Sequence, residues 1–538
     1  MSHEIESSRK ILKGAAILTA AALLVKILSA IYRVPFQNMA GDTGFYIYQQ
    51  VYPFYGIAVV LATYGFPVGI SKLLVESDEI KLESKERNQM ITASFIWISF
   101  IGVLLFLVLF FCAELIAGIM NDRQLAPLIR TVAFSFLLLP FISIGRGYYQ
   151  ANGNMIPTAL SQTFEQLFRV SVILIGTYLL VGNGSSLYMI GEGAIAGSLV
   201  GGVIATLVLF YYIWKDRQNH FPLIMPEGEI IKKTGKVLLF QGLAFCLNNM
   251  YLLLFQLLDS FQLFSALIAE GIPAADAKVM KGIYDRGQPL IQVGLVVATS
   301  LSLSLVPVLT SLQRKKAVEE VKKMCRLAIK VSSVIGLGAA LGLIGILKSV
   351  NIMLFKDNEG LETLAVLSVL ILLASLLITC STIMQTMGFW KPSVLIILSS
   401  IVMKGVLNPW LISEYGIKGA AYSSLLALIV ACGLLLFFVV RYIIGSKLGI
   451  GHIAGLVIAG IVMYSMLKGY SVIFYSVFGE YGESRIWASM QALSSVAIGG
   501  AAYVLMLLKM KLFREDELTH LPGSHLLIEI MNKGTIKR

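Results

Sequence analysis

Apolar residues run along this chain in continuous stretches of about 20 or more, separated by short polar gaps. A helix of about 20 apolar residues crosses the hydrocarbon core of a bilayer. Read this way, the pattern predicts helices over residues 11–35, 46–72, 90–119, 127–149, 155–182, 188–214, 236–264, 284–311, 327–355, 361–388, 393–412, 417–442, 449–472 and 485–510. A membrane β-barrel would alternate apolar and polar positions, which these runs do not. The expected fold is an all-α integral membrane protein of about 14 transmembrane helices.

Composition agrees: 57% of the 538 residues are hydrophobic and 14% charged, too little polar surface to cover a water-soluble fold. The mean hydropathy is +0.80. The 48 glycines against 14 prolines suit helices in close backbone contact. The net charge of +12 would suggest nucleic acid as a partner, but no soluble module carries a basic stripe with interleaved aromatics. Most of the 43 Lys and Arg instead fall in the two termini and the even-numbered connections, so the positive-inside rule makes both termini cytoplasmic. The densest basic connections are Arg314-Lys315-Lys316 to Arg326 and Lys215 to Lys236, read as orientation signals with anionic-lipid contact as the lesser alternative. Five scattered cysteines without a Cys-x-x-Cys suggest neither a disulfide framework nor a zinc site. The apolar run after Arg9-Lys10 is longer than a signal-peptide core and is read as a retained first span.

An internal repeat sets the expected organisation. Gln150-x-x-Gly153-x-x-x-Pro157 recurs 235 residues later as Gln385-x-x-Gly388-x-x-x-Pro392, joining the fourth to the fifth helix and the tenth to the eleventh. Gly56-Ile-Ala-Val-Val and Gly294-Leu-Val-Val-Ala echo it at an offset of 238. Both offsets equal six helices, which predicts two pseudo-symmetric six-helix lobes, 1–214 and 215–442, then two additional helices over 443–512 and a cytoplasmic tail over 513–538.

Enzymatic chemistry finds no foothold. The five histidines are terminal, in a connection or near a helix end, and no His-Glu-x-x-His occurs. The glycine run Gly336-Leu-Gly338-Ala-Ala-Leu-Gly342 has the wrong spacing for a phosphate loop and sits in a span, where small residues serve helix packing, so neither ATP nor another cofactor is expected. Charge inside the bilayer is the remaining signal, because it is expensive and faces a wet cavity or a partner. Lys26 and Arg33 lie in the first predicted helix, Glu165 and Arg169 in the fifth, Asp285 and Arg286 open the eighth, and Lys404 lies in the eleventh.

Arg169 and Lys404 each stand twelve residues after their repeat's proline, so pseudo-symmetry places a cation at the same point of both lobes. Two such groups suit an anion such as phosphate. The competing reading is that Glu165 and Arg169, at i and i+4, neutralise each other. Arg286 likewise either faces a cavity or pairs with Asp285, and Lys26 either faces a cavity or snorkels. Asp259 is open between coupling-ion ligand and exposed residue.

The repeat motif, the Glu165-Gln-Leu-Phe-Arg169-Val run and Tyr284-Asp285-Arg286 ahead of an apolar helix together resemble the multidrug/oligosaccharidyl-lipid/polysaccharide flippase superfamily. Within it the resemblance is to the group of the lipid II flippase MurJ and stage V sporulation protein B. The resemblance implies alternating access by two lobes around a cationic cavity that takes the diphosphate and sugar of a polyprenyl-linked precursor. It places cavity cations on Lys26, approximately Arg33, and Arg286. The acidic residue such proteins carry at the start of helix two falls near Gly44, with Asp42 close by, and their arginine pair farther along is replaced by the Tyr55-Gly56 region.

The expectation is a bacterial plasma-membrane flippase, not an enzyme, for an undecaprenyl-diphosphate-linked oligosaccharide or peptidoglycan precursor. It is powered by membrane potential or an ion gradient, with the coupling ion unspecified. Lys26, Arg33, Arg169, Arg286 and Lys404 are the headgroup cations, and Asp42, Glu165, Asp259 and Asp285 the supporting or coupling candidates. A drug/cation antiporter of the same superfamily would want cavity acids and about twelve helices, and a non-transporting scaffold would want no charged cavity.

Overall fold

The computed structural model describes residues 17–18, 20–79, 84–216, 224–445, 450–479, 484–510 and 512–513. Among these the regular structure is entirely helical. The helices are α1 (20–31), α2 (Arg33–Val60), α3 (Phe66–Glu79), α4 (Ser84–Phe111), α5 (Ala113–Ile119), α6 (Ala126–Ala133), α7 (Leu139–Ala151), α8 (Ile156–Gly182), α9 (Leu187–Lys215) and α10 (Gly228–Lys236). They continue as α11 (Leu243–Ala269), α12 (Ala274–Asp285), α13 (Gly287–Arg314), α14 (Val318–Phe355), α15 (Leu361–Thr386), α16 (Trp390–Tyr415), α17 (Ile417–Phe438), α18 (Ile450–Phe478) and α19 (Arg485–Lys509).

Among the described residues, 12 helical stretches are long and apolar enough to cross a membrane. The first, Ala20–Ser77, is 58 residues long and doubles back on itself. Its turn is Gly41, at φ 69° and ψ −179°, a backbone conformation that disfavours any residue with a Cβ. Across that turn the Tyr32 and Tyr48 hydroxyls, 16 residues apart, meet at 2.7 Å. On an unbroken helix they would stand about 24 Å apart. The stretch therefore supplies two crossings, and the 28-residue α13 is long enough for another, in line with about fourteen.

The sequence placed a loop over 36–45, but the reversal needs only one glycine. The predicted helix 90–119 is broken at Cys112 into α4 and α5, and the 127–149 helix tightens to a 3₁₀ turn at Phe134–Leu138 between α6 and α7. In the connection ahead of α13 the chain forms a helix not foreseen, α12. The predicted tail lies outside the described residues except for Phe513.

The two copies of the repeat motif form the same turn. Gly153 sits at φ 69° and Gly388 at φ 88°, each just past a helix end. Their amides donate to Gln150 O and Gln385 O, both at 3.1 Å, and the next amides, of Asn154 and Phe389, donate to Tyr149 O at 2.9 Å and Met384 O at 2.8 Å. Pro157 and Pro392 then open α8 and α16, where a missing N–H costs nothing.

Contacts group the chain into two compact units, Met1–Val296 with Trp390–Ala427, and Val297–Phe389 with Leu428–Arg538. In the first, α2 packs on α8, α9, α11 and α12, and α11 packs on α16. In the second, α14 packs on α15, α18 and α19. The glycine run of α14 serves this packing: Gly336 lies against Leu372 and Ser375, and Gly338 against the Tyr503 ring, whose hydroxyl donates to Val334 O at 2.8 Å. All five cysteines are free.

Candidate functional site

The hairpin at Gly41 brings the start of α2 alongside its middle, and Tyr32, Tyr48, Tyr52 and Tyr55 gather there. Residues 48, 52 and 55 follow the i, i+4, i+7 spacing of one helical face. Two arginines stand among these rings. The Arg33 guanidinium lies 4.4 Å from the Tyr52 ring centre and 5.9 Å from that of Tyr32. Arg169, from α8, lies 4.8 Å from Tyr55, 5.0 Å from Tyr32 and 5.7 Å from Tyr52.

Their hydrogen bonding is incomplete. Arg33 is wholly buried, and none of its three side-chain nitrogens has a hydrogen-bond partner. Arg169 donates to the Tyr32 hydroxyl at 2.6 Å and to Gln166 Oε1 at 3.0 Å, while its Nε has no partner. Among the described residues no carboxylate lies within ion-pair distance of either. Ring faces attract a desolvated cation by about 2 kcal/mol each, which falls short of the cost of burying a charge without a counter-ion. The arrangement is two permanently charged guanidinium forks with N–H groups to spare.

The local neutralisation of Arg169 by Glu165 does not occur. Glu165 pairs with Arg146 of α7 at 2.6 Å, and Arg146 is saturated by Ser161 Oγ at 3.0 Å and Thr63 Oγ1 at 2.9 Å. Arg286 does not pair with Asp285 either. It forms a two-pronged bridge to Asp42, Nε to Oδ1 at 2.9 Å and Nη2 to Oδ2 at 2.6 Å, while Asp285 pairs with Lys281 one turn back at 2.8 Å. Adjacent helical residues point in different directions, and i, i+4 residues meet.

Lys404 and Arg169, equivalent in the repeat, have different surroundings. Lys404 is wholly buried against Asp259 at 2.8 Å and the Ser424 hydroxyl, and Asp259 also accepts from Tyr284 Oη at 2.8 Å and Asn408 Nδ2 at 3.1 Å. Asp259 is thus a buried ion-pair partner rather than an exposed residue. Lys26 lies two turns before Arg33, half-buried, and among the described residues no carboxylate pairs with it.

A further cluster escaped the sequence reading. Asp122, beyond α5, accepts from Tyr188 Oη at 2.6 Å and Tyr46 Oη at 3.1 Å, and meets Lys278 of α12 at 3.3 Å. Lys278 also donates to Tyr188 Oη at 2.6 Å. Asp122 and Lys278 fall in predicted connections that carry no motif. Arg146 and the tyrosine stripe of α2 were missed as well, although a charge within an apolar run and the i, i+4, i+7 spacing were the signals that could have found them.

The described residues form a multi-pass, all-α membrane body with buried ion-paired and cationic side chains. The chain belongs to the polysaccharide biosynthesis protein family, whose model matches residues 11–313. It is 39% identical over 526 residues to the uncharacterized membrane protein YabM of Bacillus subtilis (strain 168), spanning 97% of this chain and 96% of that one. It is 24% identical over 526 residues to the lipid II flippase MurJ of the same organism, spanning 92% and 95% of the two chains. A solved structure of the lipid II flippase MurJ in an inward closed conformation has the same fold, with a TM-score of 0.69 over 92% of this chain and 99% of that chain at 14% identity.

Proposed function

We propose that the protein is a flippase of the bacterial plasma membrane that moves an undecaprenyl-diphosphate-linked oligosaccharide or peptidoglycan precursor from the inner to the outer leaflet. In this reading the termini are cytoplasmic and the lobes 1–214 and 215–442 alternate in access. The observation that carries it is the Arg33–Arg169 pair, buried among tyrosines without a carboxylate. A diphosphate offers the charge and the paired oxygens that two guanidinium forks lack. The family membership and the MurJ relative support the same substrate class.

Arg33 and Arg169 take the headgroup first, with Lys26 two turns before Arg33, in α1. Arg286 becomes available when Asp42 lets go of it. Outward movement of an anion across an inside-negative membrane gains about 2.3 kcal/mol per charge per 100 mV, so the potential can drive export without ATP.

The test is native mass spectrometry of the gently purified chain beside Arg33→Ala/Arg169→Ala, with lipid movement followed in liposomes under an imposed potential. A polyprenyl diphosphate that co-purifies with the wild type and is lost from the variant, together with loss of movement, is the expected result. Equal retention in both proteins overturns the reading. Cation-driven drug movement would then make the protein an antiporter, and no movement of any kind a scaffold.

A further inference from the structure

Four span ends come together in the second unit: the close of α13, the opening of α14, the close of α15 and the close of the Ile417–Ile444 span. A cavity of about 230 Å³ opens there, lined by Gln313, Lys316, Val318, Lys322, Phe389 and Tyr442 among others. We propose that this cavity holds the headgroup of an anionic phospholipid from the leaflet facing the basic connections, with the lipid's chains running down its apolar wall. The proposal stands apart from the arginine–tyrosine cage and does not rest on it.

The lining has two chemistries. Gln313, Lys316 and Lys322 supply its polar and basic part, in a connection whose sequence also carries Lys315, Lys323 and Arg326. Val318, Phe389 and Tyr442 supply its apolar part and are 60%, 39% and 63% exposed where the helices end. A soluble anion has no use for such a wall, whereas an amphiphile needs both halves. Lysines at the bilayer surface attract anionic headgroups, and aromatic rings favour that depth.

Lys316 is held in a conformation that lysine does not favour. Its φ is 55°, in the left-handed region, within a turn where its amide donates to Gln313 O at 3.0 Å and the Ala317 amide to Leu312 O at 3.1 Å. Glycine is the least strained occupant of such a helix-ending position. A lysine there keeps a charge at the rim of the cavity against local backbone preference, as strained residues at functional sites do. Lys322 lines the same cavity, and its ammonium reaches exposed Glu319 at 2.7 Å. Glu319 therefore shares the charge that a headgroup would otherwise meet.

Phosphatidylglycerol and phosphatidylcholine are titrated against the purified full chain, and retained lipid is counted by native mass spectrometry. Phosphatidylglycerol is expected to be retained and phosphatidylcholine to be lost. Lys316→Gly weakens phosphatidylglycerol about fivefold, the effect of one surface cation. Its unfolding midpoint holds or rises, because glycine suits the left-handed position. Glu319→Gln, which releases Lys322, tightens binding by a few-fold, and Arg33→Leu/Arg169→Leu leaves it unchanged. Equal retention of the two lipids, or an unchanged affinity in both Lys316→Gly and Glu319→Gln, overturns the proposal. So does competitive displacement by undecaprenyl diphosphate, which would assign the cavity to the transported lipid.

Discussion

Arg33 and Arg169, 136 positions apart, stack against the same ring, that of Tyr52, at 4.4 and 5.7 Å. Both also reach the ring of Tyr32, whose hydroxyl accepts from Arg169 and meets the hydroxyl of Tyr48. Aromatic faces hold both guanidiniums where, among the described residues, no carboxylate lies within ion-pair distance.

The proposed headgroup site trades stability for binding. Arg33→Leu removes a buried cation with no hydrogen-bond partner, so the ligand-free protein is expected to unfold a few degrees higher than wild type while losing polyprenyl diphosphate binding. Thermal unfolding in detergent, with and without the lipid, checks this. A lower midpoint would mean that Arg33 is a structural element.

The Asp42–Arg286 bridge joins the two proposed lobes, and so does the Asp122–Lys278 contact. Asp42→Asn leaves Arg286 buried without its carboxylate and is expected to cost about 3 kcal/mol or more, whereas Asp42→Asn/Arg286→Gln recovers part of that loss. A double-mutant cycle on unfolding midpoints measures the coupling. Additive single effects would remove the bridge from the account.

Lys404 and Asp259 form a sealed pair, so either residue alone is expensive to lose. Lys404→Met and Asp259→Asn each destabilise by about 3–5 kcal/mol, and the double variant lies nearer wild type than either. Transport assays on the stable double variant then separate a structural role from direct participation. Retained movement is expected if the pair only holds α11 to α16, and loss of movement with an intact fold would make it part of the transport cycle.

The repeat turns offer a backbone test. A Cβ at Gly153 or Gly388 would meet no atom within 4 Å, so substitution there costs only the left-handed conformation. Alanine at either position is expected to lower stability by about 1 kcal/mol, and asparagine, which tolerates that region, by less. Equal effects of the two substitutions would show that the turn is not what the glycines provide.

The pattern of residues was enough for the class of fold. Continuous apolar runs impose helices that cross a bilayer, because no other open structure satisfies the backbone there. The duplicated Gln-x-x-Gly-x-x-x-Pro motif was equally legible, since a left-handed glycine followed by a proline at a helix start is a local device. Part of the list of buried charges was legible too, because such charges stand out against an apolar background, but buried Arg146, Lys281 and Asp122 were missed.

Which charges find partners is a different matter. Glu165 is four residues from Arg169 in sequence, yet Arg146 on α7 takes it. Lys404 has no acid beside it in sequence, yet Asp259, 145 residues earlier, neutralises it. Asp42 reaches Arg286 across 244 residues. Ion pairing depends on distances of a few ångströms between different helices, and helix packing sets those distances. The sequence by itself determined that charge would be buried in a helical membrane body. Only the tertiary structure decided that Arg286 and Lys404 are matched by carboxylates while Arg33 and Arg169 rest among tyrosines, because a one-turn shift between helices is enough to change every partner.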